Sequence, residues 1–184
     1  MKRAISLLLA MLALALLSGC AALAESTQTF STDYYTLALP SDWTIDTSEA
    51  DGDDEFRTLG YLYAPEVPGL VIEAGLIHYE DMSDVSLWNA DEETMQGYID
   101  AVLDELKDEK AEYLSTLKVG QIPFLIFSGE DTDGPYRYID TMTNGYAVVF
   151  YAYVAGDDSD ALLPMSDADW ARVEAILTTF RPAG

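Results

Sequence analysis

The chain has 184 residues, with 33 acidic against nine basic residues and one histidine, for a formal charge of −24. A surface of that sign repels phosphate backbones and offers no basic patch to anionic lipid, which argues against nucleic acid as a partner and against electrostatic membrane docking. A single cysteine allows no intramolecular disulfide, so a core must hold the fold, and this length suffices for one.

The chain opens Met1-Lys2-Arg3 and runs apolar from Ala4 to Leu17, broken only by Ser6. At ~1.5 Å per residue such a helix falls short of a ~30 Å bilayer core. A positive start, a short apolar run and small residues after it define a secretory signal. Leu17-Ser18-Gly19-Cys20 resembles the lipobox of bacterial lipoproteins, which implies cleavage before Cys20 and lipid on its thiol. Ala22-Leu23-Ala24 offers a second cut, after 24, that would release a soluble secreted protein. We therefore read 1–19 as signal peptide, 20–33 as a polar tether and 34–182 as a single α+β domain. Once Lys2 and Arg3 are removed, seven basic residues face 33 acidic ones, a formal charge of −26.

Tyr34 to Leu39 reads as a strand, Pro40-Ser41-Asp42 as a turn and Trp43-Thr44-Ile45 as a short extension. Arg57 to Tyr63 and Leu70 to Tyr79 read as two strands around a turn with Pro65, Pro68 and Gly69. Asn89 and Glu92 suit the start of a helix. Met95, Ile99, Val102, Leu103 and Leu106 then form one apolar stripe, ending near Lys107 to Lys110. Tyr113 to Val119 and Ile122 to Phe127 read as strands around Gly120-Gln121. Tyr136 to Thr143, Asn144-Gly145 and Tyr146 to Val154 predict a hairpin with a two-residue type I′ turn. Its register sets Ile139 opposite Phe150 and Tyr138 opposite Tyr151, with apolar residues on both faces. A last helix starts at Ser166 with Asp169 as capping partner, buries Trp170, Val173, Ile176, Leu177 and Phe180, and is closed by Pro182. The fold class is thus α+β: a central, mainly antiparallel sheet with helices packed on its faces, an α/β/α sandwich.

Three stretches carry a further likeness. Tyr35-Thr36-Leu37-Ala38-Leu39-Pro40-Ser41-Asp42-Trp43, Val119-Gly120-Gln121-Ile122-Pro123 and Ala175-Ile176-Leu177-Thr178-Thr179-Phe180 together resemble the PsbP-like fold family over residues 34–182. That family includes an extrinsic photosystem II subunit, a eukaryotic Ran-binding protein and bacterial lipoproteins of the DcrB type. Its closing motif usually has serine where Thr179 stands. The resemblance implies partner binding or assistance to assemblies. The family shares no catalytic residues to carry over.

Acidic residues cluster at Asp51 to Glu55, Glu130 to Asp133 and Asp157 to Asp160. Asp131, Asp133, Asp157, Asp158 and Asp160 are the candidates for calcium, a hard cation that takes six to eight oxygens. Asp131-Thr132-Asp133-Gly134 starts like an EF-hand loop, but its glycine comes two residues early and no glutamate follows at the required distance; solvated turns are the plainer reading. His78 stands at a strand end beside Glu80 and Asp81, more a surface residue than a metal ligand. No motif for a nucleophile, a zinc site or a phosphate loop is present.

One face of the hairpin gathers Tyr136, Tyr138, Asp140, Tyr151 and Tyr153. Left open, this is a tyrosine-rich patch for sugar or peptide ligands. Covered by the terminal helix, which we expect, the tyrosines are core and Asp140 needs a hydrogen-bond partner. The function these features favour is a non-catalytic envelope lipoprotein. It is held to the membrane by lipid on Cys20 and binds an envelope protein or cell-wall ligand, with no cofactor. A carboxylate-based enzyme on envelope glycans, centred on Asp140, and a calcium-stabilised structural module are the alternatives.

Overall fold

The structure, a computed structural model, describes residues 27–48, 50–52, 56–65, 69–157 and 161–183. The signal peptide, both cleavage sites, Cys20, Asp53, Asp54, Glu55, Asp158 and Asp160 lie outside the described residues. The strands are β1 (Thr27–Ser31), β2 (Tyr35–Pro40), β3 (Thr44–Asp46), β4 (Phe56–Tyr63) and β5 (Leu70–His78). Helix α1 (Glu92–Glu105) follows, then β6 (Glu112–Val119), β7 (Ile122–Glu130), β8 (Pro135–Thr143), β9 (Tyr146–Ala155) and β10 (Leu162–Leu163). Helix α2 (Asp167–Leu177) and β11 (Arg181–Pro182) close the chain. The larger sheet runs β3-β4-β5-β9-β8-β7-β6, with β10 beside β9, and every pairing in it is antiparallel. A smaller antiparallel sheet runs β1-β2-β11.

The β8–β9 hairpin takes the expected register: Ile139 faces Phe150, Tyr138 faces Tyr151 and Thr141 faces Val148. Asn144 and Gly145 both have positive φ, 52° and 79°, as a type I′ turn demands. This turn packs closely: a Cβ on Gly145 would meet the Tyr79 carbonyl oxygen at 2.9 Å.

Strand alternation divides the hairpin's side chains between two apolar clusters. The first holds Phe124, Ile139 and Phe150 with Tyr35, Leu37 and Leu39 of β2 and Val173, Ile176, Leu177 and Phe180 from α2 and its end. Phe180 stacks on Tyr35 at 5.1 Å and meets Phe124 edge-on at 5.0 Å. Thr179 ties helix to strand, its Oγ1 accepting from the Ala38 amide at 2.8 Å. A serine hydroxyl could accept the same bond. The second cluster holds Leu125, Phe127, Tyr136, Tyr138 and Val149 with Tyr98, Ile99, Val102 and Leu106 from α1 and its end.

Four expectations are corrected. Within the expected tether over 20–33, residues 27–31 form β1 instead, because Phe30 is buried and they pair with β2; residues 20–26 lie outside the described residues. The cap of α1 is Asp91, not Asn89: its carboxylate accepts from the Thr94 amide, and Asn89 ends a 3-10 turn. Pro182 does not close α2, which ends at Leu177; it lies in β11 opposite Tyr35. The tyrosine face of the hairpin is covered by α1, not by the terminal helix. Ser166 does cap α2 as expected, its Oγ accepting from the Asp169 amide at 3.2 Å.

Candidate functional site

The hairpin sets Tyr136, Tyr138 and Asp140 on one face of β8 and Tyr151 and Tyr153 on the same face of β9, as period-two alternation requires. The Tyr138 and Tyr151 rings lie 5.0 Å apart, and those of Tyr136 and Tyr151 5.8 Å apart. The five residues do not form one open patch. Asp140 is 0 % exposed, Tyr138 3 % and Tyr136 6 %, whereas Tyr151 and Tyr153 are half-buried. The open-patch expectation therefore fails for Tyr138 and Asp140, which are buried; Tyr151 and Tyr153 keep part of their surface exposed.

Asp140 sits between Leu125 of β7 and Val149 of β9, beneath α1. Tyr98 of α1 donates its hydroxyl to Asp140 Oδ2 at 2.7 Å, and the Tyr138 hydroxyl lies 3.5 Å from the same oxygen. Oδ1 has no hydrogen-bond partner among the described residues. Burial pushes the carboxyl up to about 7; Tyr98 pulls against that, the negative charge of Glu105 adds to it, and Tyr138 opposes it weakly. The carboxylate also raises the Tyr98 and Tyr138 hydroxyls, after burial, which is the larger cause for both. Tyr98 went unread in the sequence. It adjoins Ile99 at the edge of the apolar stripe, and a hydroxyl there signals a buried acceptor opposite.

Two hollows meet at Tyr151. One, of about 590 Å³, has Tyr136, Tyr151 and Tyr153 among its walls and Glu73, Glu109, Asp131 and Asp133 around them. Gly129 makes room for the Tyr136 ring, which would collide with any Cβ there, and the Tyr136 hydroxyl donates to Glu109. The other hollow, of about 720 Å³, lies among Tyr79, Glu80, Asp81 and Glu105, with His78 at its rim. Tyr79 donates to Glu105 at 3.3 Å. Among the described residues, neither lining includes a lysine or arginine. The Tyr151 hydroxyl is raised first by burial and then by the charges of Glu109, Glu105, Glu73 and Asp140, which places it in a strongly negative field. His78 stacks on Tyr146 at 4.5 Å.

The acidic turns do structural work where they are described. Asp131 Oδ1 accepts from the amides of Asp133 and Gly134 at 2.8 and 2.9 Å, an Asx-type turn. Asp133 lines the first hollow. Among the described residues, no group of three or more histidines, cysteines or carboxylates is placed to hold a metal ion. No helix among them is long and apolar enough to cross a membrane.

The chain is similar to the solution structure of cyanobacterial PsbP (CyanoP) from Synechocystis sp. PCC 6803, with a TM-score of 0.48 and 12 % identity over 88 % of this chain and 95 % of that one. It is also similar to a crystal structure from Bacteroides thetaiotaomicron VPI-5482, with a TM-score of 0.47 and 15 % identity. That match covers 84 % of this chain and 48 % of the other, so the chain spans about half of that structure's length. No protein-family model and no curated protein matches.

Proposed function

We propose that this chain is a non-catalytic exported envelope lipoprotein, tethered by lipid on Cys20, that acts as a binding or accessory module through its acidic surface. Its ligand is a cationic group on an envelope protein or cell-wall component, received around Tyr151. One observation carries this reading: the two hollows at Tyr151 set carboxylates beside tyrosine walls with no lysine or arginine among their described lining, while the carboxyl poised near neutrality is sealed beneath α1. Ammonium and guanidinium groups gain from carboxylates and from aromatic faces together. A general acid must come within about 3 Å of its substrate, or reach it through one water. Asp140, 0 % exposed, has no such reach, which weighs against the glycan-enzyme reading. We also propose the α/β/α sandwich, with α1 and α2 on opposite faces of the larger sheet. The support is that each helix shares a cluster with a different set of alternating β8 and β9 side chains.

The test is amide chemical-shift perturbation by a lysine-rich peptide. Shifts concentrated at Tyr136, Tyr151 and Tyr153 and abolished by Asp133→Lys support the site; shifts spread evenly over all acidic loops overturn it. Mass spectrometry of the mature N-terminus tests the tether. A lipid-bearing Cys20 is expected, and a start at Glu25 defeats the lipoprotein reading.

A further inference from the structure

Asp140 is a carboxyl at the seam between a helix and a sheet, and only half of its hydrogen-bonding capacity is met. Its cross-strand neighbours, Leu125 and Val149, are apolar and fully buried. The groups that face it are Tyr98 and Glu105 from α1, Tyr138 from β8, Tyr151 from β9 and Tyr79 from the segment after β5. β7 contributes only Leu125 and Phe127 to this side. No cation is among these groups, so nothing neutralises the carboxylate when it ionises. An ionised group buried without a counter-charge is destabilising, and the structure relieves that by letting water in or by giving the proton a reason to stay. The one strong contact that Asp140 makes, at 2.7 Å, is to the helix that covers it.

We propose that Asp140 is a proton-controlled latch beneath α1, closed when its carboxyl is protonated and loosened when it ionises. The cost of burying an uncompensated charge drives the loosening, and the stronger bond that the carboxylate accepts from Tyr98 opposes it only in part. The helix carries Glu105, in the wall of one hollow, and leads into the 3-10 turn of Lys107–Glu109, whose last residue accepts from Tyr136 in the other. Movement of α1 therefore moves the walls of both hollows at Tyr151. Rising pH widens this region and falling pH closes it. The latch is a property of the free protein and stands whether or not a cationic ligand binds there.

The sign follows from linkage. The closed state holds the proton more tightly than the opened one, so opening gains population as pH rises toward the midpoint of the closed state, about 7. The experiment is amide exchange of α1 residues 98–106 in the whole chain, corrected for the intrinsic rate at each pH, beside a carboxyl-carbon NMR titration of Asp140. We expect opening of α1 to rise by at least about tenfold between roughly pH 5.5 and 8.5, following the Asp140 titration, since each pH unit of linked proton release changes the equilibrium up to tenfold. Asp140→Asn should abolish that rise. Tyr98→Phe removes the donor that favours the ionised form, so Asp140 should titrate higher, and the rise in α1 opening should grow and extend to higher pH. If α1 opens equally at all pH values in the wild-type chain, the latch does not exist. If Asp140→Asn retains the rise, another group drives it; should the asparagine variant fail to fold, a rise that does not move to higher pH in Tyr98→Phe gives the same answer.

Discussion

The two faces of the β8–β9 hairpin are built from neighbouring residues and do opposite things. The face that carries Ile139 and Phe150 meets β2 and α2 in an apolar cluster where, among the described residues, Tyr35 is the one fully buried ionisable group. The face one residue out of step carries Tyr138 and Asp140, meets Tyr98 of α1, and continues outward into tyrosine walls ringed by carboxylates. Dispersion and burial hold the first, with little dependence on conditions. The second adds a titratable group at its centre, so its strength varies with pH. One strand can thus serve as scaffold and as site, because a strand's alternation keeps the two roles apart.

The sharpest way to break this contrast is to cut into the apolar face. Phe150→Ala removes a fully buried ring that touches Tyr35 at 5.7 Å and Phe124 at 6.3 Å between centroids. We expect a loss of about 3–5 kcal/mol in urea unfolding, equal at pH 5.5 and pH 8. A loss that changed with pH would mean that the two faces are coupled rather than separate.

How much of this could be read beforehand follows the range of the forces involved. The hairpin, its register and its turn were legible because local rules fix them: Asn144-Gly145 sets the turn and alternation sets the faces. The stripe of α1 was legible from Ile99, Val102 and Leu106, and the burial of Asp140 from the tyrosines around it. The identity of its cover was not. Which helix lies on which face depends on contacts between residues far apart in the chain, and Tyr98 and Asp140 are 42 positions apart. Thr27 to Ser31 looked like a tether because Phe30 is the sole large apolar residue in it, and its partner β2 supplies most of the reason for its order. The hollows at Tyr151 went unread because Glu73, Glu109 and Asp133 come from three separate elements.

The next largest effect lies on the other face and carries a sign. Asp140 titrates at about 7 in the folded chain against 3.8 for an unperturbed aspartate. The folded state therefore keeps a proton that the unfolded state releases. Its contribution is fully present below about pH 4, falls as pH rises between the two values, and is gone above 7. At ~1.4 kcal/mol per pH unit over about three units, the swing is on the order of 4 kcal/mol. Asp140→Asn cannot titrate, so its stability should be flatter with pH and should exceed that of the wild type at pH 8. Parallel pH profiles for the two proteins would show that Asp140 does not set this face's response.

Tyr98→Phe probes the same pair from the helix side. The ionised carboxylate loses its 2.7 Å donor, a charge-assisted bond, and keeps only the distant Tyr138 hydroxyl. We expect a loss of about 1–3 kcal/mol at pH 8 and less at pH 5.5, where the neutral carboxyl depends on that donor less. Equal losses at both values would reduce Tyr98 to a packing residue.

The smallest effect sharpens the comparison most, because it applies the same chemical change to the apolar face. Tyr35 is 0 % exposed, stacks on Phe180, and its hydroxyl has no partner among the described residues. Burial alone drives that hydroxyl far above its ordinary value. Removing an unpaired buried hydroxyl discards a desolvation penalty and keeps the ring's contacts. Tyr35→Phe should therefore leave stability unchanged or raise it, by about 1 kcal/mol at most, and identically at pH 5.5 and pH 8. The same Tyr-to-Phe change would then be harmful and pH-dependent on one face, and harmless and pH-independent on the other. A clear loss at Tyr35 would mean that its hydroxyl is held after all, and that the apolar face contains a polar interaction of its own.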